Sequence, residues 1–79
     1  MTDYKIMIVD DEPDILDLLE KALNIEGYYN IIKINNGFTA VDVCKKTQPD
    51  VIVLDVIMKD LTRTLLSCLS RYGRLISRG

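Results

Sequence analysis

Three short apolar runs punctuate the chain, and each gives way to polar or acidic residues. They are Tyr4 to Val9 (YKIMIV), Tyr29 to Ile34 (YNIIKI) and Val51 to Leu54 (VIVL). Their β-branched and aromatic content predicts strands. The last run is apolar without alternation and ends at Asp55, which is the pattern of a strand covered on both faces in the middle of a parallel sheet. Between the runs the spacing changes. From Pro13 to Glu26, Ile15, Leu18, Leu19, Ala22 and Leu23 recur at helical intervals, and Gly27 supplies a stop. Asp11 or Glu12 can cap this helix, Pro13 suits its first turn, and Asp14 and Asp17 favour the positive end of its dipole. Asn35-Asn36-Gly37 forms a turn, after which Phe38, Ala40, Val41 and Cys44 predict a second helix to about Thr47. Gln48-Pro49-Asp50 breaks it. Beyond Asp60, Leu61, Leu65, Leu69, Tyr72 and Ile76 return at nearly every fourth position, which predicts a third helix through about Gly73.

Strand, helix, strand, helix, strand is the order of a parallel α/β layer joined by right-handed crossovers. With strand order 2-1-3, the first and third strands are neighbours about 4.8 Å apart, and both end on the same side of the sheet. Asp10 and Asp11 after the first strand and Asp55 after the third then converge where such sheets bind ligands. Carboxylates 4 Å apart repel by roughly 4 kcal/mol per pair at an effective dielectric near 20, so the cluster calls for a cation. Mg²⁺ suits one or two carboxylates, retained waters and a phosphate oxygen, and it leaves a carboxylate able to attack phosphorus. Taken singly, Asp10-Asp11-Glu12-Pro13 reads as helix capping and Asp55 as a turn residue. Their joint occurrence has no shared structural need, and it favours the metal site.

Composition narrows the chemistry. At 79 residues the chain is one domain at most and buries only about 60% of its unfolded surface. It contains no histidine, so Ser/His and Cys/His catalytic arrangements are excluded and carboxylate chemistry is left. Cys44 and Cys68 lack the spacing of a zinc site or a redox pair and read as small buried hydrophobes. No apolar run approaches a membrane span and no signal peptide opens the chain, so a cytoplasmic location is expected. All twelve acids lie at or before Asp60 and all four arginines after it. Residues 1–60, with six lysines, therefore carry −6 and residues 61–79 carry +4. The basic tail reads as a solvated helix face, and without a DNA-reading motif no direct nucleic-acid binding is expected.

Three segments resemble the receiver domains of two-component response regulators: Ile8-Val9-Asp10-Asp11-Glu12-Pro13, the Asn36-Gly37 opening of the second helix, and Pro49 through Met58 (PDVIVLDVIM). The likeness covers about residues 4 to 60. It implies a flavodoxin-like fold, with Asp55 as phosphoryl acceptor. It also implies Mg²⁺ held by Asp11 directly, by Asp10 mainly through water, by Asp55, and by the backbone carbonyl of Ile57. The implied donor is a phosphohistidine on a sensor histidine kinase. The receiver is not an enzyme, but it assists its own phosphorylation.

Beyond Met58 the likeness fades, with Lys59, Thr62 and Arg63 where the family has a proline and an Asp-Gly pair. The reading is therefore of a partial receiver fold over residues 1–60: a three-stranded parallel sheet of order 2-1-3 with flanking helices. A helical, basic, non-receiver tail over 61–79 follows it, as a truncation or a frameshift near Asp60 would produce. The family's phosphoryl-binding hydroxyl and lysine are expected to be missing, which leaves the switch incomplete. The third strand's open apolar edge would then invite self-association. The alternatives are a Mg²⁺-dependent phosphohydrolase with an aspartyl nucleophile and an inert fragment. The first is disfavoured because the first strand ends in Asp10-Asp11-Glu12 rather than Asp-x-Asp. A nucleotide-binding module lacks its glycine-rich loop.

Overall fold

A computed structural model of the protein describes residues 4–55, 64, 65, 67 and 73–78, with backbone alone at 55, 77 and 78. Its elements are β1 (Ile6–Val9), α1 (Pro13–Ile25), β2 (Ile31–Ile34), α2 (Gly37–Thr47), β3 (Val51–Asp55) and β4 (Arg74–Arg78). The strands form one sheet in the order β2-β1-β3-β4, and every pair is parallel.

Strand periodicity sorts the core into two layers. Met7 and Val9 of β1 with Ile52 and Leu54 of β3 face α2, where Ala40 and Cys44 are fully buried. Ile6 and Ile8, with Val51 and Val53, face α1 through Leu16, Leu19 and Leu23. The helices thus cover opposite faces, as right-handed crossovers leaving β1 and β2 in opposite directions require. Ala22 of the helical pattern is exposed, and two large residues of the patterns do not pack as expected either. Leu18 is 63% exposed and Phe38 90% exposed, because the inward stripe of α1 runs through 16, 19 and 23 and that of α2 through 40 and 44.

Local chemistry explains the helix ends. Glu12 occupies the N-cap of α1, yet neither its side chain nor that of Asp11 provides the cap expected from the sequence. Instead Asp10 Oδ1 accepts from the Glu12 N–H at 2.9 Å. At the other end Tyr28 N donates to Leu23 O at 2.9 Å and Gly27 N to Asn24 O at 3.0 Å. This is the six-to-one and five-to-two closure that needs a left-handed residue, and Gly27 supplies it at φ 97°. Asn36 caps α2 by accepting from the Phe38 N–H at 2.8 Å. Gln48 ends α2 at φ 46°, a left-handed conformation without glycine.

β4 corrects the sequence reading. Thr64, Leu65 and Ser67 are helical, but Arg74–Arg78 is a strand, so the sheet has four strands rather than three. The remainder of the expected third helix lies outside the described residues. β3 would otherwise present a row of unpaired N–H and C=O groups, and pairing from Val51↔Arg74 to Asp55↔Arg78 satisfies them. The expected open edge on β3 is therefore closed. The sheet ends instead on β4, where Arg74 and Ile76 are exposed.

Cys44 also departs from expectation. Cys44 is fully buried as foreseen, but it is disulfide-bonded. The chain's only other cysteine, Cys68, lies outside the described residues. No helix among the described residues is long and apolar enough to cross a membrane.

Candidate functional site

Parallel strands end together, and here the ends carry the acids. Val9 pairs in register with Leu54, so the next residue of each strand, Asp10 and Asp55, stands level at the carboxyl end of the sheet. Adjacent strands lie about 4.8 Å apart. The backbones of the two residues singled out for chemistry are thereby brought side by side, as strand order 2-1-3 required.

Asp10 is only 3% exposed. Burying a carboxylate is costly without hydrogen bonds, and two backbone groups fix its place. Its N–H donates to Ile34 O of β2 at 3.0 Å, and its Oδ1 takes the Glu12 N–H. The same bond turns the chain into α1, whose N-terminal dipole favours negative charge at this point. Asp11, by contrast, is exposed. One acid of the pair therefore builds the corner and the other faces solvent.

Asp55 closes β3, and on its other side β4 places Arg78 in register with it. The side chain of Asp55 and the whole of Ile57 lie outside the described residues. Among the described residues, no group of three His, Cys, Asp or Glu side chains is assembled to hold a metal. Asn36-Gly37, a family-like motif in the sequence, has a structural task here as the cap of α2.

The opposite end of the sheet is closed by backbone and lysine contacts. Asp50 Oδ2 accepts from the Lys5 N–H at 2.9 Å, and Lys5 Nζ donates to Thr47 O at 2.7 Å. A cavity of about 430 Å³ lies there, lined by Tyr4, Ile6, Tyr28, Asp50, Val51 and Arg74. It sits at the amino ends of β1, β3 and β4, away from Asp10 and Asp55. Capping by the Asp10-Asp11-Glu12-Pro13 run was legible in the sequence, though not that Asp10 makes the bond, whereas the arginine that β4 sets in register with Asp55 carried no legible signal.

Comparison with known proteins places this geometry. The response regulator receiver domain family matches residues 6–66. The transcriptional regulatory protein YvrH of Bacillus subtilis is 43% identical over 58 residues, which is 73% of this chain and 24% of that protein. The probable transcriptional regulatory protein TcrX of Mycobacterium tuberculosis is 37% identical over 57 residues, 72% of this chain and 24% of that protein. Sporulation initiation phosphotransferase F of Bacillus subtilis is 41% identical over 56 residues, 71% of this chain and 44% of that protein. The matched region thus spans about a quarter of the two transcriptional regulators and less than half of the phosphotransferase. With matching motifs, a parallel sheet of the right order and acids abreast at its carboxyl end, the chain belongs to the receiver-domain family of response regulators.

Proposed function

We propose that this chain is a phospho-accepting module of a two-component phosphorelay. In this reading Asp55 takes a phosphoryl group from a sensor histidine kinase, and Asp10, Asp11, Asp55 and the Ile57 carbonyl hold Mg²⁺. One observation carries the proposal: the β1–β3 register that sets Asp10 level with Asp55. The donor set is hard oxygen throughout, which fits Mg²⁺. Bound Mg²⁺ would screen the negative charge of the carboxylates and of the incoming phosphoryl group.

A carboxylate oxygen of Asp55 attacks phosphorus, an O–P bond forms, and the P–N bond to the donor imidazole breaks. The imidazole nitrogen leaves with the electron pair and takes a proton from water. Asp10, anchored by Glu12 N–H, holds the loop on which Asp11 is presented. This transfer calls on no general base, since a carboxylate attacks phosphorus as its anion. The chain therefore acts as an acceptor that assists one transfer, not as an enzyme with turnover.

Incubation with acetyl phosphate and Mg²⁺ tests the reading by intact mass. A single phosphate should be added to the wild type, and none after chelation of Mg²⁺ or in Asp55→Asn. Turnover of a generic phosphate ester without a stable adduct would instead indicate the phosphohydrolase.

A further inference from the structure

We infer that the disulfide of Cys44 runs to Cys68 and forms a thiol–disulfide switch: oxidised, it locks the C-terminal segment onto the sheet, and reduced, it lets that segment open. The inference does not depend on the reading of Asp55 as acceptor.

Cys44 is disulfide-bonded and fully buried on the inward face of α2. The chain has two cysteines and neither is free, so Cys68 is the partner that the sequence offers. Cys68 lies outside the described residues, and the pairing is tested with the rest of the inference. Its own segment already reaches Cys44. Leu65, three positions before Cys68 in the sequence, is fully buried with its carbonyl oxygen 3.9 Å from the Cys44 sulfur.

Beyond Cys68 the chain enters β4, which covers β3 from Val51 to Asp55. Among the described residues this segment is held by the β3–β4 ladder and by the packing of Leu65 and Leu75 around Cys44, Ile52 and Leu54. β4 is an edge strand with one neighbour, and Arg74 and Ile76 are exposed on it. Few contacts oppose its opening.

A bridge from Cys44 to Cys68 closes a loop of roughly 25 residues, which takes freedom from the opened chain and favours the docked one. Burial also shields the sulfur from a thiol in solution until the segment opens. Docking and oxidation therefore favour each other. In reduction a donor thiolate attacks one sulfur, the S–S bond breaks, and the displaced sulfur leaves with the electron pair and takes a proton. A second donor thiol resolves the mixed disulfide, so that two protein thiols and one donor disulfide result. Glutathione disulfide drives the reverse exchange, and the prevailing state follows the surrounding thiol poise.

Protein equilibrated with glutathione disulfide and then blocked with iodoacetamide tests the pairing. Tryptic peptides 34–45 and 64–71, which carry Cys44 and Cys68, should run as one linked species that dithiothreitol separates. Amide hydrogen exchange of the native protein tests the switch. On reduction residues 74–78 should exchange roughly tenfold faster or more, the scale of removing a cross-link of this span, while β1 changes much less. Cys68→Ser spares the buried Cys44 and should exchange at the reduced rate with or without dithiothreitol. Unlinked peptides, a link found only between two copies of the chain, or a bridge that resists excess dithiothreitol would overturn the inference. So would equal exchange at 74–78 in the two states, or an equal acceleration in β1, which would make the bridge a staple of the whole fold.

Discussion

Leu65 packs against Cys44, with its carbonyl oxygen 3.9 Å from the Cys44 sulfur and both residues fully buried. The contact joins the segment after β3 to the core under α2, alongside Ile52 and Leu54. The basic C-terminal part of the chain is therefore fastened to the receiver-like part by packing as well as by the β3–β4 ladder.

Replacing Leu65 should reveal how much that fastening contributes. Leu65→Ala is expected to cost about 2–5 kcal/mol, the range for truncating a buried leucine. Much of a small domain's stability would be lost. Urea unfolding with the slope held common to both proteins measures it, and a cost under about 1 kcal/mol would show that the segment is not part of the cooperative core.

The two acids after β1 should separate under mutation. Asp10→Ala leaves the Glu12 N–H without its side-chain acceptor and should cost about 1–2 kcal/mol, as loss of a helix cap does. Asp11→Ala, on an exposed residue, should change stability by no more than about 0.5 kcal/mol while abolishing Mg²⁺-dependent phosphate incorporation. Parallel thermal melts and intact-mass assays on the two variants check the division. Equal destabilisation would contradict the roles assigned.

Gln48→Gly should stabilise the protein. Gln48 sits at φ 46° at the end of α2, a conformation that costs a non-glycine residue roughly 1–2 kcal/mol. Glycine's greater freedom in the unfolded chain offsets part of that gain. A net increase of roughly 0.5–1 kcal/mol is expected from denaturant midpoints, and a decrease would mean that the Gln48 side chain has a compensating task.

Lys33 makes stability depend on pH at the alkaline end. Hydrogen bonds from its Nζ to Glu20, and then to Asp17, raise its pKa above the ordinary value of 10.5. A group whose folded pKa is raised contributes fully below its unfolded pKa, and the contribution is lost as pH climbs through the folded value. The ion pairs are exposed, so the effect is small and screened by salt. Wild-type Tm should fall more steeply than that of Lys33→Met as pH rises from about 9 to above about 11. The gap should narrow in 1 M salt, and identical pH profiles would show that the pairs add nothing.

Much of the fold is legible in local pattern. β1 and β2 lie inside their apolar runs and β3 extends its run by Asp55 alone, α1 begins at the expected Pro13 and stops before Gly27, and α2 ends before Gln48-Pro49. That Asp10 and Asp55 end neighbouring strands on one side of the sheet was also readable, because parallel strands of order 2-1-3 must end together. Helix faces were less legible. Leu18 and Phe38 fit the helical spacing yet face solvent, since the inward stripe depends on where the sheet sits against each helix.

Residues 74–78 mark the boundary between the two sources of information. On its own, RLISR continues the four-residue spacing begun at Leu61 and reads as the tail of a helix. Its strand conformation comes from β3, whose backbone donors and acceptors are matched residue for residue by a segment distant in the chain. Periodicity is a property of neighbours in sequence, and it set the elements, their order and the acidic corner. Hydrogen-bond pairing between separated segments is a property of the folded sheet, and that alone closed the edge of β3 and brought Arg78 beside Asp55.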